Sequence, residues 1–184
     1  MKFWKYDTNS HKFAVFDCQL GKTRRFLTCL SIDKNDTVAY CGSRYGDILE
    51  IILDGARFKR TGPLHRIFKG GINQINSKFD KYLAVGCADG SIARIDRKSM
   101  LILDEHNICE KSGVRCIANS ENKIYALTGN GILHQSPIDE PLNQTSAFMT
   151  SNCNPVGAIQ FPAGFGEVFA TRSKDMISIW NVAD

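Results

Sequence analysis

The chain has 184 residues, 43% of them hydrophobic and 23% charged, with a formal net charge of +4. That length suffices for one domain that buries about 70% of its unfolded surface, and composition alone excludes no fold class. The apolar runs fall far short of the roughly 20 residues of a membrane-spanning helix, and the opening MKFWKYDTNSHK has no apolar signal-peptide core, so a cytoplasmic chain with no membrane contact is expected.

Taken in order, the residues form short strands separated by turns. Phe3 to Tyr6 completes one strand and Lys12 to Gln19 is an outer strand beside it. A first four-strand unit follows at Phe26 to Ile32, Val38 to Gly42, Asp47 to Leu53 and Phe58 to Thr61. The second is Gly71 to Asn76, Tyr82 to Cys87, Ser91 to Asp96 and Leu101 to Glu105, and the third Val114 to Asn119, Lys123 to Thr128, Ile132 to Ser136 and Thr145 to Thr150. Val156 to Phe161, Val168 to Thr171 and Ile177 to Val182 form a final meander. Period-two alternation marks the strands, and Asp89-Gly90 and Asn130-Gly131 mark tight hairpin turns. No helix longer than a turn is expected.

The units repeat. Ile48, Ile92, Ile132 and Ile177, each just after a turn, are spaced by 44, 40 and 45 residues, and Phe3-Trp4 matches Ile179-Trp180. A period of roughly 40 to 45 residues with four strands per repeat is that of a WD-repeat propeller, although the Gly-His and Trp-Asp dipeptides of typical WD repeats are absent. The expected fold is therefore all-β: a partial β-propeller of about four blade equivalents of four-stranded antiparallel sheets. The end of one blade lies in residues 1–20, blades in 21–61, 62–106 and 107–150, and an incomplete blade in 151–184. Such a fan does not close on its own. With on the order of 400 to 500 Å² of apolar area uncovered, each open end forfeits roughly 10 kcal/mol, so the chain is expected to be unstable alone or to associate. The remainder of its own propeller or a complementary chain would supply the cover.

No chemistry-bearing constellation emerges, so no catalytic, metal-binding or cofactor-binding residue is assigned. The seven cysteines include no CxxC pair, and reduced, mostly buried thiols are expected. His11, His65, His106 and His134 fall in different repeats. Gly129-Asn130-Gly131 joins two strands rather than opening a helix, so it is a turn and not a phosphate loop, and Asp104-Glu105-His106 fits a solvated strand edge. The strand aromatics Phe3, Trp4, Phe13, Phe16, Phe26, Phe79, Phe161, Phe169 and Trp180 fit packing between blades.

Charge is placed unevenly. Loops joining second to third strands and fourth strands to the next blade share one rim. That rim carries a clear positive excess, whereas the opposite rim is slightly negative. Lys22, Arg24, Arg25, Arg44, Tyr45, Arg66, Lys69, Arg172 and Lys174 are the candidate partner-binding residues, suited to an acidic protein surface. They are not interleaved with aromatics in a manner that suggests base stacking, so nucleic acid is not expected.

Phe3-Trp4, Val38-Ala39-Tyr40-Cys41-Gly42, Gly46-Asp47-Ile48-Leu49-Glu50, Gly62-Pro63 and the hairpin Phe161-Pro162-Ala163-Gly164-Phe165-Gly166-Glu167-Val168-Phe169-Ala170-Thr171 together resemble the cilia- and flagella-associated WD-repeat family numbered 52 in its series, over a middle portion only. The resemblance implies a non-enzymatic, cytoskeletal protein of the ciliary or flagellar axoneme, bound inside doublet microtubules to tubulin and other microtubule inner proteins. Two other readings stand beside it: a generic scaffold for a cytoplasmic multiprotein complex, and a propeller enzyme using the central channel. The latter needs acids or histidines converging where Phe26, Ile72, Val114 and Val156 are apolar.

Overall fold

Short runs rich in apolar residues, bounded by turns, give strands throughout the computed structural model of the protein, which describes residues 2–18, 25–54, 57–120, 122–149, 157–160, 168–172 and 175–181. The first sheet pairs β1 (Lys2–Asp7) with β2 (Lys12–Asp17). The second contains β3 (Leu27–Ile32), β4 (Val38–Ser43), β5 (Asp47–Asp54) and β6 (Arg57–Arg66), and the third β7 (Ile72–Asn76), β8 (Tyr82–Cys87), β9 (Ser91–Asp96) and β10 (Ile102–Asn107). The fourth contains β11 (Val114–Asn119), β12 (Lys123–Thr128), β13 (Ile132–Pro137) and β14 (Ser146–Met149), and the fifth β15 (Gly157–Gln160), β16 (Val168–Arg172) and β17 (Ile177–Asn181). All pairings are antiparallel between consecutive strands. The first strands of successive sheets lie side by side, β3 against β7, β7 against β11 and β11 against β15. This is the radial arrangement of a β-propeller. Among the described residues it is a fan that does not close.

Each sheet has a leading face, toward the next sheet in the chain, and a trailing face. Tyr40 and Ile48 on one leading face pack against Leu83, Val85, Ala93 and Ile95 on the next trailing face. Tyr82, Ala84 and Ile92 meet Ile117, Ile124 and Ala126 in the same way, and Tyr125, Leu127 and Leu133 meet Trp180. Phe16 and Cys18 lead from the first sheet onto Ala39, Cys41, Leu49 and Ile51. The core is thus distributed between sheets, and each sheet depends on its neighbours for cover.

Polar ties reinforce these contacts near the axis. The register slips by one residue at the second position of β3, β7 and β11, leaving Thr28, Asn73 and Arg115 as bulge residues. The Thr28 hydroxyl donates to the Ile72 carbonyl of the next sheet. Asn73 Nδ2 donates to the Val114 carbonyl at 2.9 Å, and Asn76 Nδ2 donates to Asn119 Oδ1 at the same distance.

Four expectations change. β6 runs through Gly62-Pro63 to Arg66, with Gly62, Pro63 and Leu64 bulging opposite Leu49. Proline is tolerated there because an edge strand needs no donor on its outer side. The outer strand of the fourth sheet starts at Ser146 rather than Thr145, after a single 3-10 turn at Leu142–Gln144, and Thr150 lies outside the described residues. In the repeat alignment the residue equivalent to Ile48 and Ile92 is Leu133, not Ile132, because Gly46, Gly90 and Gly131 all occupy the same left-handed turn position. Finally, Trp4, Phe13 and Phe26 are exposed rather than packed between sheets, at 66%, 63% and 71%.

Candidate interaction rim

One rim of the fan is built by the turns between second and third strands and by the connections from one sheet to the next. The turn at Ser43 to Asp47 shows how it is held. Gly46 has φ +80°, and a Cβ there would lie 2.1 Å from the Phe68 carbonyl oxygen, so only glycine admits the close approach. The Gly46 carbonyl accepts from the Ile67 and Phe68 amides, both at 3.2 Å, which seats the connection 67–71 on the turn. The third sheet repeats the device at Gly90, φ +90°, whose carbonyl accepts from the Ile108 amide at 3.0 Å. These hydrogen bonds fix the loop backbones in place on the rim.

Among the expected rim residues, Arg25 and Tyr45 are brought together, the guanidinium lying 5.5 Å from the ring centroid. Arg25 Nε also donates to Oδ2 of the buried Asp47 at 2.7 Å, and Ser43 Oγ donates to the same oxygen at 3.0 Å. Arg25 therefore fastens the turn as well as charging it. Arg44, Tyr45, Lys69 and Arg172 are exposed. Arg66 is the last residue of β6, its backbone opposite Asp47 in the ladder rather than in a free loop, and its side chain lies outside the described residues. Lys22, Arg24 and Lys174 also lie outside them. One cation escaped the sequence reasoning: Arg115, assigned to a strand interior, stands exposed at a bulge beside Gly129 on this rim. The shared register slip after the first residue of β3, β7 and β11, at Thr28, Asn73 and Arg115, shows only in the strand pairing, so the residue pattern carried no signal for it. Asp89 and Glu110 are exposed acids within the same band.

Elsewhere the polar groups are structural. Asp104 is not a solvated edge: its side chain is 24% exposed and takes a paired contact from Arg94, at 2.8 Å from Nε and 2.5 Å from Nη2. It also accepts from the Leu142 amide at 3.1 Å, while Arg94 Nη1 donates to the Ile138 carbonyl at 2.6 Å, clamping the third sheet to the fourth. Arg97 bridges the second and third sheets, lying 5.2 Å from the Tyr40 ring centroid and donating to the Phe79 carbonyl at 3.0 Å. Cys41, Cys87 and Cys116 are buried; burial pushes the Cys41 thiol up to about 12 and raises that of Cys87 as well. Cys153 lies outside the described residues.

Near the axis a cavity of about 220 Å³ is lined by Leu30, Gln74, Asn76, Lys78, Cys116 and Ala118, among others. Its described lining contains neither a carboxylate nor an imidazole. Among the described residues no three His, Cys, Asp or Glu side chains are grouped to hold a metal.

No protein-family model matches the chain. Among curated proteins it is 26% identical over 186 residues to "Cilia- and flagella-associated protein 52" of Chlamydomonas reinhardtii, covering 99% of this chain. It is 25% identical over 183 residues to the Homo sapiens protein of the same name and 24% identical over 181 residues to that of Bos taurus. The chain spans about 29% of the length of these relatives. Among solved structures it superimposes on a chain of the mitotic checkpoint complex with TM-score 0.70 and 17% identity, covering 97% of this chain and 54% of that one. It superimposes on the computationally designed Ika4 protein with TM-score 0.68 and 14% identity, covering 90% and 95% respectively. By fold the chain is propeller-like, and by sequence it is similar over nearly its whole length to proteins named cilia- and flagella-associated protein 52.

Proposed function

We propose that this chain is a non-catalytic interaction module of the ciliary or flagellar axoneme, holding the acidic surface of tubulin, and neighbouring proteins inside doublet microtubules, against its basic rim. The observation that carries the reading is the extent of the likeness to relatives named for cilia and flagella, which runs through 99% of the chain in the Chlamydomonas protein. The rim supports it physically: Arg44, Lys69, Arg115 and Arg172 are exposed on one side of a rigid fan, a distribution that steers an acidic partner and fixes its orientation.

The test is co-sedimentation with microtubules. Reversing Arg44, Lys69, Arg115 and Arg172 together to glutamate removes charges that each contribute a few tenths of a kcal/mol, so affinity should fall on the order of tenfold and its salt dependence should flatten. Unchanged affinity and salt slope in the fourfold variant would refute the rim as the binding surface.

A further inference from the structure

Two of the histidines that fall in different repeats of the sequence are brought to one boundary by the fold. His134 of β13 stands opposite Ala126 in the ladder, and His106 of β10 stands opposite Ile92; directly opposed residues share a face. Ala126 and Ile92 belong to the core between the third and fourth sheets, so both imidazoles face into that boundary from opposite sides. His134 is 7% exposed, and its Nε2 is buried with no hydrogen-bond partner among the described residues, whereas His106 is half-buried. Burial, and after it the neighbouring His106, hold the His134 imidazole below the ordinary histidine pKa.

We propose that His134 and His106 form a proton-sensitive joint between the third and fourth sheets, closed while both imidazoles are neutral and loosened as they take up protons. The surroundings leave a charge on His134 without an anion. On its own face of the fourth sheet the ladder neighbours are Ala126, Ala147, Ile124 and Ser136, with Ile117 of β11 beyond, and none of them titrates. On the facing sheet both carboxylate oxygens of Asp104 are taken by Arg94, itself a cation, with the Tyr82 ring beside it. Asp96 accepts from the Lys98 and Ser99 amides of its own turn. On the connections flanking the boundary, Asn130 Nδ2 donates to the Cys109 thiol at 3.5 Å, and Glu110, Lys111, Asp139 and Glu140 are exposed to solvent. A proton on His134 therefore meets an apolar core and a second imidazole, an arrangement that disfavours the charged form in the closed joint. Because the closed joint holds His134 below the value of an unconstrained histidine, the open state binds the proton first. The joint is fully closed above about pH 7 and loosens as pH falls through about 6.5 towards the depressed value. The inference does not rest on the ciliary reading.

Amide hydrogen exchange of the whole chain at about pH 7.5 and about pH 5.5, corrected for the intrinsic pH dependence of exchange, tests it. In the wild type, protection of the β10 and β13 amides should fall by up to about tenfold per pH unit below about 6.5, while β4 and β5, remote from the pair, should not follow. His134→Gln is neutral at both pH values and should keep β10 and β13 equally protected at the two. His106→Gln should lessen the loss, because one of the two charges is gone. Loss of protection spread evenly over the sheets overturns the proposal, as does a His134→Gln protein with the wild-type pH response. Should either variant fail to fold, NMR of the wild type follows the His134 imidazole directly. Proton uptake only below the ordinary histidine range supports the joint, and uptake at or above that range overturns it.

Discussion

Asp33 carries much of the turn between β3 and β4. Its carboxylate accepts from the Thr37 amide at 2.8 Å, the Val38 amide at 3.1 Å and the Thr37 hydroxyl at 2.8 Å. Burial works to raise its pKa, but hydrogen bonds from Val38 and Thr37 outweigh burial and hold the carboxyl below its ordinary value. A depressed native pKa means stability that is complete above the ordinary carboxylate range and is lost as pH falls through the native value. Asp33→Asn should therefore cost about 1 to 3 kcal/mol at pH 7 and lose less further stability than the wild type on acidification below about pH 4. Urea unfolding of both proteins at the two pH values checks this; parallel pH profiles would contradict it. Asp33 was legible as a turn residue, whereas the tie between Arg25 and Asp47 was not. A charge count along the chain shows which residues are basic, not which are already committed to a buried carboxylate.

The strands and their turns show where local pattern suffices. β4, β5, β8, β9 and β12 fall within a residue of expectation because each is a short, largely apolar run bounded by turn residues and a left-handed glycine fixes the hairpin between them or to the next strand. β6 departs because Gly62-Pro63 is locally a turn signal, and only pairing with β5 makes it strand. Ile132 was misaligned because residue identity was weighed above the position of Gly131, the feature that fixes the hairpin. These glycines make a contrast that can be measured. A Cβ at Gly90 would lie 1.8 Å from the Cys109 carbonyl oxygen at φ +90°, whereas one at Gly70 would meet only the Asp89 carboxylate, at 3.1 Å. Gly90→Ala should cost more than about 2 kcal/mol, and Gly70→Ala should fall within about 1 kcal/mol of wild type. Thermal unfolding of the pair checks the order, which comparable losses at both positions would contradict.

At the scale of the molecule, repetition made the propeller legible: five sheets in sequence, with first strands side by side, follow from a period near 44 residues. The rim was legible in part: the charges of Arg44 and Lys69 were countable in the sequence, but Arg115 joined them only through a bulge. That basic rim points to a molecule that works by fitting against others. The most direct test is to follow a tagged chain in a flagellated cell through detergent extraction of its axonemes. The account predicts that it remains with the axonemal microtubules after the membrane is removed and is released as salt is raised; recovery in the detergent-soluble cytoplasmic fraction would contradict it.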